Sequence, residues 1–146
     1  MKTERFEDIK AWQEARVLAK MIYAAVDSDR HFDSDHRLRD QIQGAVVSIM
    51  SNITEGFSRR STKEFFQFLF IAKGSAAEVE SQLYVALDQG YMNEEQSDEL
   101  YTKADEVARL ISGFTRYLLD KDGFQEPKEP IKLEQLNKLE KLEELR

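Results

Sequence analysis

The chain has 146 residues, 41% of them hydrophobic and 34% charged, and a formal net charge of −7. That length suits a single domain with a core of its own. The absence of cysteine excludes disulfides, thiolate metal sites and a cysteine nucleophile, and the acidic balance works against simple electrostatic attraction to nucleic acid.

The opening residues MKTERFEDIKAW place charges where a signal peptide needs an apolar run. No apolar run approaches the ~18 residues of a membrane span. A cytoplasmic protein without a membrane segment is the expectation. The two prolines, Pro127 and Pro130, stand near the end. The long preceding stretch, rich in Ala, Leu, Glu, Gln and Lys, reads as all-helical.

The first helix is expected from about Phe6 to Val26, with Ile9, Trp12, Arg16, Ala19, Ile22 and Val26 on one face and Val17, Leu18 and Met21 widening it. Trp12 reads as a core or interface anchor rather than a ligand-stacking residue. The polar stretch Asp27 to Asp35 reads as a loop, with Phe32 tucked back onto the bundle and Asp33 to Asp35 offering helix caps. A second helix is expected over about 37–56, its core stripe Leu38, Ile42, Ala45, Ile49 and Ile53. Beside that stripe runs a small, polar row of Gln41, Gly44, Ser48, Asn52 and Glu55. With Glu78 it reads as an inter-helix polar network that fixes register, or as the edge of a pocket. Gly56 stands where a left-handed C-terminal cap belongs.

Ser61 and Glu64 form a capping-box pattern that opens a third helix over about 62–89. Phe65, Leu69, Ala72, Ala76, Val79, Leu83 and Ala86 give it a seven-residue repeat. Phe66, Phe68, Phe70 and Ile71 widen its apolar surface beyond one stripe. With Trp12, the residues Phe66, Phe68 and Phe70 are the expected contacts with a partner subunit. Gly90 ends this helix, with Tyr91 and Met92 under the turn. Asn93 and Gln96 open a fourth helix over about 93–119, its face carried by Leu100, Lys103, Val107, Leu110, Phe114, Tyr117 and Leu118. Four such helices with short connections predict an all-α, antiparallel up-down-up-down bundle over residues 1–120. Residues 121–146 read as a linker followed by a short accessory helix or frayed tail.

From Phe6 to Leu118 the chain resembles a known family. FEDIKAWQEA, then LRDQIQGAVVSIMSNITEGFSRRSTKEFFQFLFIAKGSAAEVESQL, then GYM look like the bacterial four helix bundle proteins encoded in intervening sequences of large-subunit ribosomal RNA genes. These are similar to the accessory protein of diversity-generating retroelements. Asn52, Glu55, Gly56, Ser61, Phe65, Gly74, Ser75 and Glu78 carry the resemblance. It implies an antiparallel four-helix bundle, assembly into a homopentameric ring, and a role with structured RNA or a reverse transcriptase, without an enzymatic activity.

Charge bears on that role. The segment Gly74 to Asp120 holds most of the negative charge, whereas His31 to Lys73 is slightly basic. Arg37, Arg39, Arg59, Arg60, Lys63 and Lys73 are therefore the candidate nucleic-acid contacts, with ordinary solvated charge as the alternative. Catalysis has less support. His31 and His36 share a polar stretch, too few ligands for a closed metal site. No Glu-x-x-His pair marks a di-metal bundle, and neither Ser48 nor Ser75 has a base beside it. No cofactor, metal or catalytic residue is expected. Two functions follow: an RNA-associated accessory bundle, or a protein-interaction scaffold without a nucleic-acid role.

Overall fold

The computed structural model describes residues 3–121. The chain falls into two units, Met1–Thr115 and Arg116–Arg146. In the second, residues 116–121 are helical, and the Lys121 ammonium donates to the Tyr117 hydroxyl at 2.9 Å. The linker and tail expected beyond Asp120 lie, Lys121 apart, outside the described residues.

In the first unit a 3-10 turn at Phe6–Asp8 precedes α1 (Lys10–Asp27), α2 (Arg30–Ser34), α3 (His36–Ser58) and α4 (Thr62–Asp88). The last helix, α5, covers Glu94–Lys121. The described residues are helices and their connections, and the four long helices pack as an antiparallel bundle. The ring contacts show the direction. Phe65, early in α4, meets Phe114, late in α5, at 5.6 Å, while Tyr84, late in α4, meets Tyr101, early in α5, at 5.8 Å.

Local chemistry accounts for most of the boundaries. The Ser61 hydroxyl accepts the Glu64 N–H at 3.2 Å and starts α4. At the start of α5, Asn93 Oδ1 accepts the Gln96 N–H at 2.8 Å and Gln96 Oε1 accepts the Asn93 N–H at 3.1 Å. Gly90, at φ 75°, ends α4. Its N–H bonds the Leu87 carbonyl while the Tyr91 N–H bonds that of Ala86, the paired closure of a Schellman motif.

The stripe expected on α3 is buried in full, as is the seven-residue repeat of α4. Two other faces differ. On α1 the buried residues are Ala11, Ala15, Leu18, Ile22 and Val26, whereas Trp12 is half-buried and Arg16 exposed. Ile9 is the extended residue before the helix, and in the first half of α1 the buried positions 11, 15 and 18 fall one residue earlier than the spacing suggested, while Ile22 and Val26 lie where expected. On α5 the face is Ser97, Leu100, Ala104, Val107 and Ile111. Lys103 runs along its edge, its stem covered and its ammonium paired, and Leu110 and Phe114 are half-buried.

The stretch read as a loop between the first two long helices contains α2. The Asp29 carboxylate caps it, accepting the N–H groups of His31 and Phe32. This one turn drives Phe32 into the core, fully buried and stacked on Tyr91 with ring centroids 5.3 Å apart.

An ion cluster joins α1 to α5. Glu14 and Lys103 are only 14% and 19% exposed at the side chain, and they bond each other. Lys10 lies 3.1 Å from Glu14, and Glu106 lies 3.1 Å from Lys103. The Lys103 bond, then the Lys10 bond, hold the Glu14 carboxyl below the ordinary glutamate value against the opposing effect of burial. An acid depressed in the native state stabilises the fold above its unfolded pKa and loses that contribution as pH falls through the native one. The expected result is that wild-type protein is more stable than Glu14→Gln at neutral pH. That gap should close below pH ~4, the unfolded glutamate range, in denaturant titrations across pH. A gap that persists unchanged in acid would show that Glu14 acts by packing rather than charge.

Candidate nucleic-acid interface

The six candidate cations do not converge. Arg37 and Arg39 lie in the first turn of α3 and Arg59 just past its last, about 30 Å away along the helix axis at 1.5 Å per residue. Arg37 is exposed. Arg39 is committed to Asp40 at 3.1 Å and to the Asp33 carbonyl at 2.9 Å. Lys73 is exposed partway along α4. A single basic patch made of all six is therefore excluded by the length of α3.

Arg59, Arg60 and Lys63 do share one place, the turn from α3 into α4. Gly56 builds that turn, but not as the expected left-handed cap. It is a buried residue inside α3, and a β-carbon there would lie 2.8 Å from Phe65 Cδ1 and 2.8 Å from Phe68 Cβ. Its missing side chain lets the start of α4 press against the end of α3. Phe65 is wedged behind it, 6.3 Å from the Phe57 ring and 5.6 Å from that of Phe114.

On this rigid base Arg59 is extended, at φ −76° and ψ 150°, and caps α3. Its guanidinium lies over the Phe68 ring at 5.1 Å and donates from Nη2 to Glu55 Oε1 at 3.0 Å. Arg60 and Lys63 are exposed and make no ion pair among the described residues. Lys63 stands in the first turn of α4, where the helix dipole already disfavours a cation and attracts an anion. Glu64 in the same turn supplies an opposing charge.

The polar network is smaller than expected. Ser48 and Ser75 join α3 to α4 through their hydroxyls at 2.9 Å, and Asn52 Nδ2 donates to the Ser48 carbonyl at 2.8 Å and hydroxyl at 3.0 Å. Gln41 and Glu78 are exposed and outside it, and Glu55 bonds Arg59, the residue that caps its own helix. On α3 Gln41 and Glu55 each stand seven residues, about 10 Å along the axis, from Ser48, so they share its face but lie beyond reach of its hydroxyl.

The residues expected to meet a partner subunit are partly covered within the chain itself. Trp12 packs edge-on against Phe6 at 5.1 Å, and Phe66, Phe68 and Phe70 are half-buried within the chain. The more open aliphatic side chains are Val17 at 41%, Val47 at 43%, Ile71 at 37% and Val85 at 45% exposure, on α1, α3 and α4. Ile71 is part of the widened apolar surface expected on α4, whereas Val47 and Val85, as isolated aliphatics, carry less weight in a sequence than a run of phenylalanines.

At the other end of the bundle Tyr91 donates to Asp35 Oδ2 at 2.8 Å. The bond lowers the Asp35 pKa, with help from the Leu38 N–H, and raises that of Tyr91. His31, Ser34, Asp35, Gln89, Gly90 and Tyr91 line a shallow recess there. His31 and His36 are exposed. Among the described residues no three carboxylate or histidine side chains gather as metal ligands. On α4, burial and the neighbouring Asp105 raise the Glu80 carboxyl, with Tyr101 bonding it. No described helix is long and apolar enough to cross a membrane.

The fold has a counterpart among solved structures. A protein of unknown function from the S23 ribosomal protein family of Bacteroides thetaiotaomicron shares it at 21% identity, with a TM-score of 0.62 over 73% of this chain and 98% of that one. No curated protein matches. The family model described as 23S rRNA-intervening sequence protein matches residues 7–113, which take in the bundle and the Arg59 turn. The chain belongs to the 23S rRNA-intervening sequence protein family.

Proposed function

We propose that this protein is a non-enzymatic accessory bundle that assembles as a homopentameric ring and binds structured RNA through the α3–α4 turn. The observation that carries the reading is the pair Arg60 and Lys63, exposed and unpaired among the described residues, beside Arg59 at the N-terminus of a 27-residue helix. Phosphate binding draws on such groups and on the dipole behind them. The open aliphatics Val47, Ile71 and Val85 supply apolar surface for a neighbouring subunit. A ring repeats the turn in each subunit, so weak single contacts add through effective concentration. The ring repeats the net charge of −7 as well, so the turn acts locally, within the screening length of salt.

The test is a fluorescence titration of the purified protein into a structured RNA, from low to physiological salt, with the solution mass measured by light scattering. Binding that weakens steeply with salt, from a species of five subunits, is the expected result. No binding even at low salt would overturn the RNA role and leave a protein scaffold. A monomer would overturn the ring.

A further inference from the structure

Arg59 differs from its two neighbours in already having an anion. The Glu55 carboxylate sits one turn back on α3 and takes a single hydrogen bond from Nη2 at 3.0 Å, while Phe68 lies under the guanidinium at 5.1 Å. The two contacts have different consequences. The ring attracts the cation without spending its charge, and it belongs to α4, so it holds Arg59 in place whether or not Glu55 is engaged. The carboxylate spends the charge. Both partners are largely in water, with side chains 44% and 55% exposed, and such a pair is weak and easily exchanged. A guanidinium has five N–H donors in a fixed fork, matched to a phosphate as well as to a carboxylate.

We propose that Glu55 is an intramolecular competitor of RNA phosphate for Arg59, a built-in brake on the α3–α4 turn. This rests on the RNA reading above. A phosphate arriving at Arg59 must displace Glu55 or lie beside its negative charge. Either route weakens binding, while Phe68 keeps the arginine positioned for the exchange. Removing the carboxylate therefore strengthens RNA binding, the opposite sign to removing the arginine.

The measurement compares Glu55→Gln with Glu94→Gln, an exposed position at the far end of the bundle, so that both variants carry the same change in net charge. The probe is a fluorescein-labelled RNA hairpin, titrated at low salt and again at physiological salt. Glu55→Gln is expected to bind about three- to fivefold tighter than both wild type and Glu94→Gln at low salt, with a steeper loss as salt rises. In an Arg59→Ala background the same substitution should gain no more than Glu94→Gln does. Equal gains from Glu55→Gln and Glu94→Gln would overturn the proposal while leaving RNA binding intact. Weaker binding by Glu55→Gln would make the carboxylate a positioning group instead. Absence of binding by all the proteins would overturn both readings. Thermal melts of each variant verify that the bundle is folded.

Discussion

Gly56→Ala is expected to destabilise the bundle, by about 1–3 kcal/mol, although alanine is the better helix former. In an exposed helix interior the exchange gains about 1 kcal/mol from propensity. Here the new β-carbon meets Phe65 Cδ1 and Phe68 Cβ at 2.8 Å each, with Phe65 Cε1 at 3.2 Å. Neither neighbour can yield cheaply. Phe65 is nearly buried and held between two other rings, and a β-carbon such as that of Phe68 moves only with its backbone. Overpacking of this kind costs about 1–3 kcal/mol. Gly113→Ala is the control, because nothing lies within 4 Å of the added atom. That substitution should be neutral or stabilising, by up to about 1 kcal/mol. Urea denaturation of both variants separates the cases. A Gly56→Ala protein as stable as Gly113→Ala would mean that α3 and α4 do not pack as closely as described. Because Phe68 also carries Arg59, a helix pushed outward at Gly56 should weaken RNA binding as well as stability.

The triple variant Arg59→Ala, Arg60→Ala, Lys63→Ala should lose RNA affinity by about two orders of magnitude at low salt. Each lost phosphate contact removes one released counterion, so the salt slope should fall by up to about three per bound subunit. The matched control is Arg37→Ala, Arg39→Ala, Lys73→Ala, with the same loss of charge from positions along α3 and α4 that do not converge. Its affinity should stay within about threefold of wild type, a change set by net charge alone. Equal losses from the two triples would show that total charge, not the turn, governs binding. The control set has one structural cost of its own. Arg39 bonds the Asp33 carbonyl and Asp40, so its removal loosens the α2–α3 junction slightly.

What the sequence determined by itself was the set of features made within a turn or two of chain. The hydroxyl of Ser61 and the paired amides of Asn93 and Gln96 close contacts three residues long. Gly90 closes the end of α4 on carbonyls three and four residues back from it. Neither needs a tertiary partner, so residue type and spacing suffice. The same holds for the stripes of α3 and α4, whose repeats run long enough to fix one buried face. Short-range rules failed where two elements meet. Gly56 was indistinguishable from a capping glycine until Phe65 and Phe68 of the next helix stood against it. The helical turn at Arg30–Ser34 is rewarded by burying Phe32 against Tyr91, 59 residues on, and the Asp35–Tyr91 bond spans 56. On α5 two candidate faces share Leu100 and Val107, and burial of Ala104 and Ile111 over Lys103 and Leu110 was decided by the other helices. Likewise the six basic residues were legible as residues, but only the length of α3 separated Arg37 from Arg59 and only Phe68 gave Arg59 its seat. Helical periodicity specifies which side of each helix is apolar. The rotation and closeness of neighbouring helices come from side-chain volumes on both at once, and those decide where charge, glycine and ring finally meet.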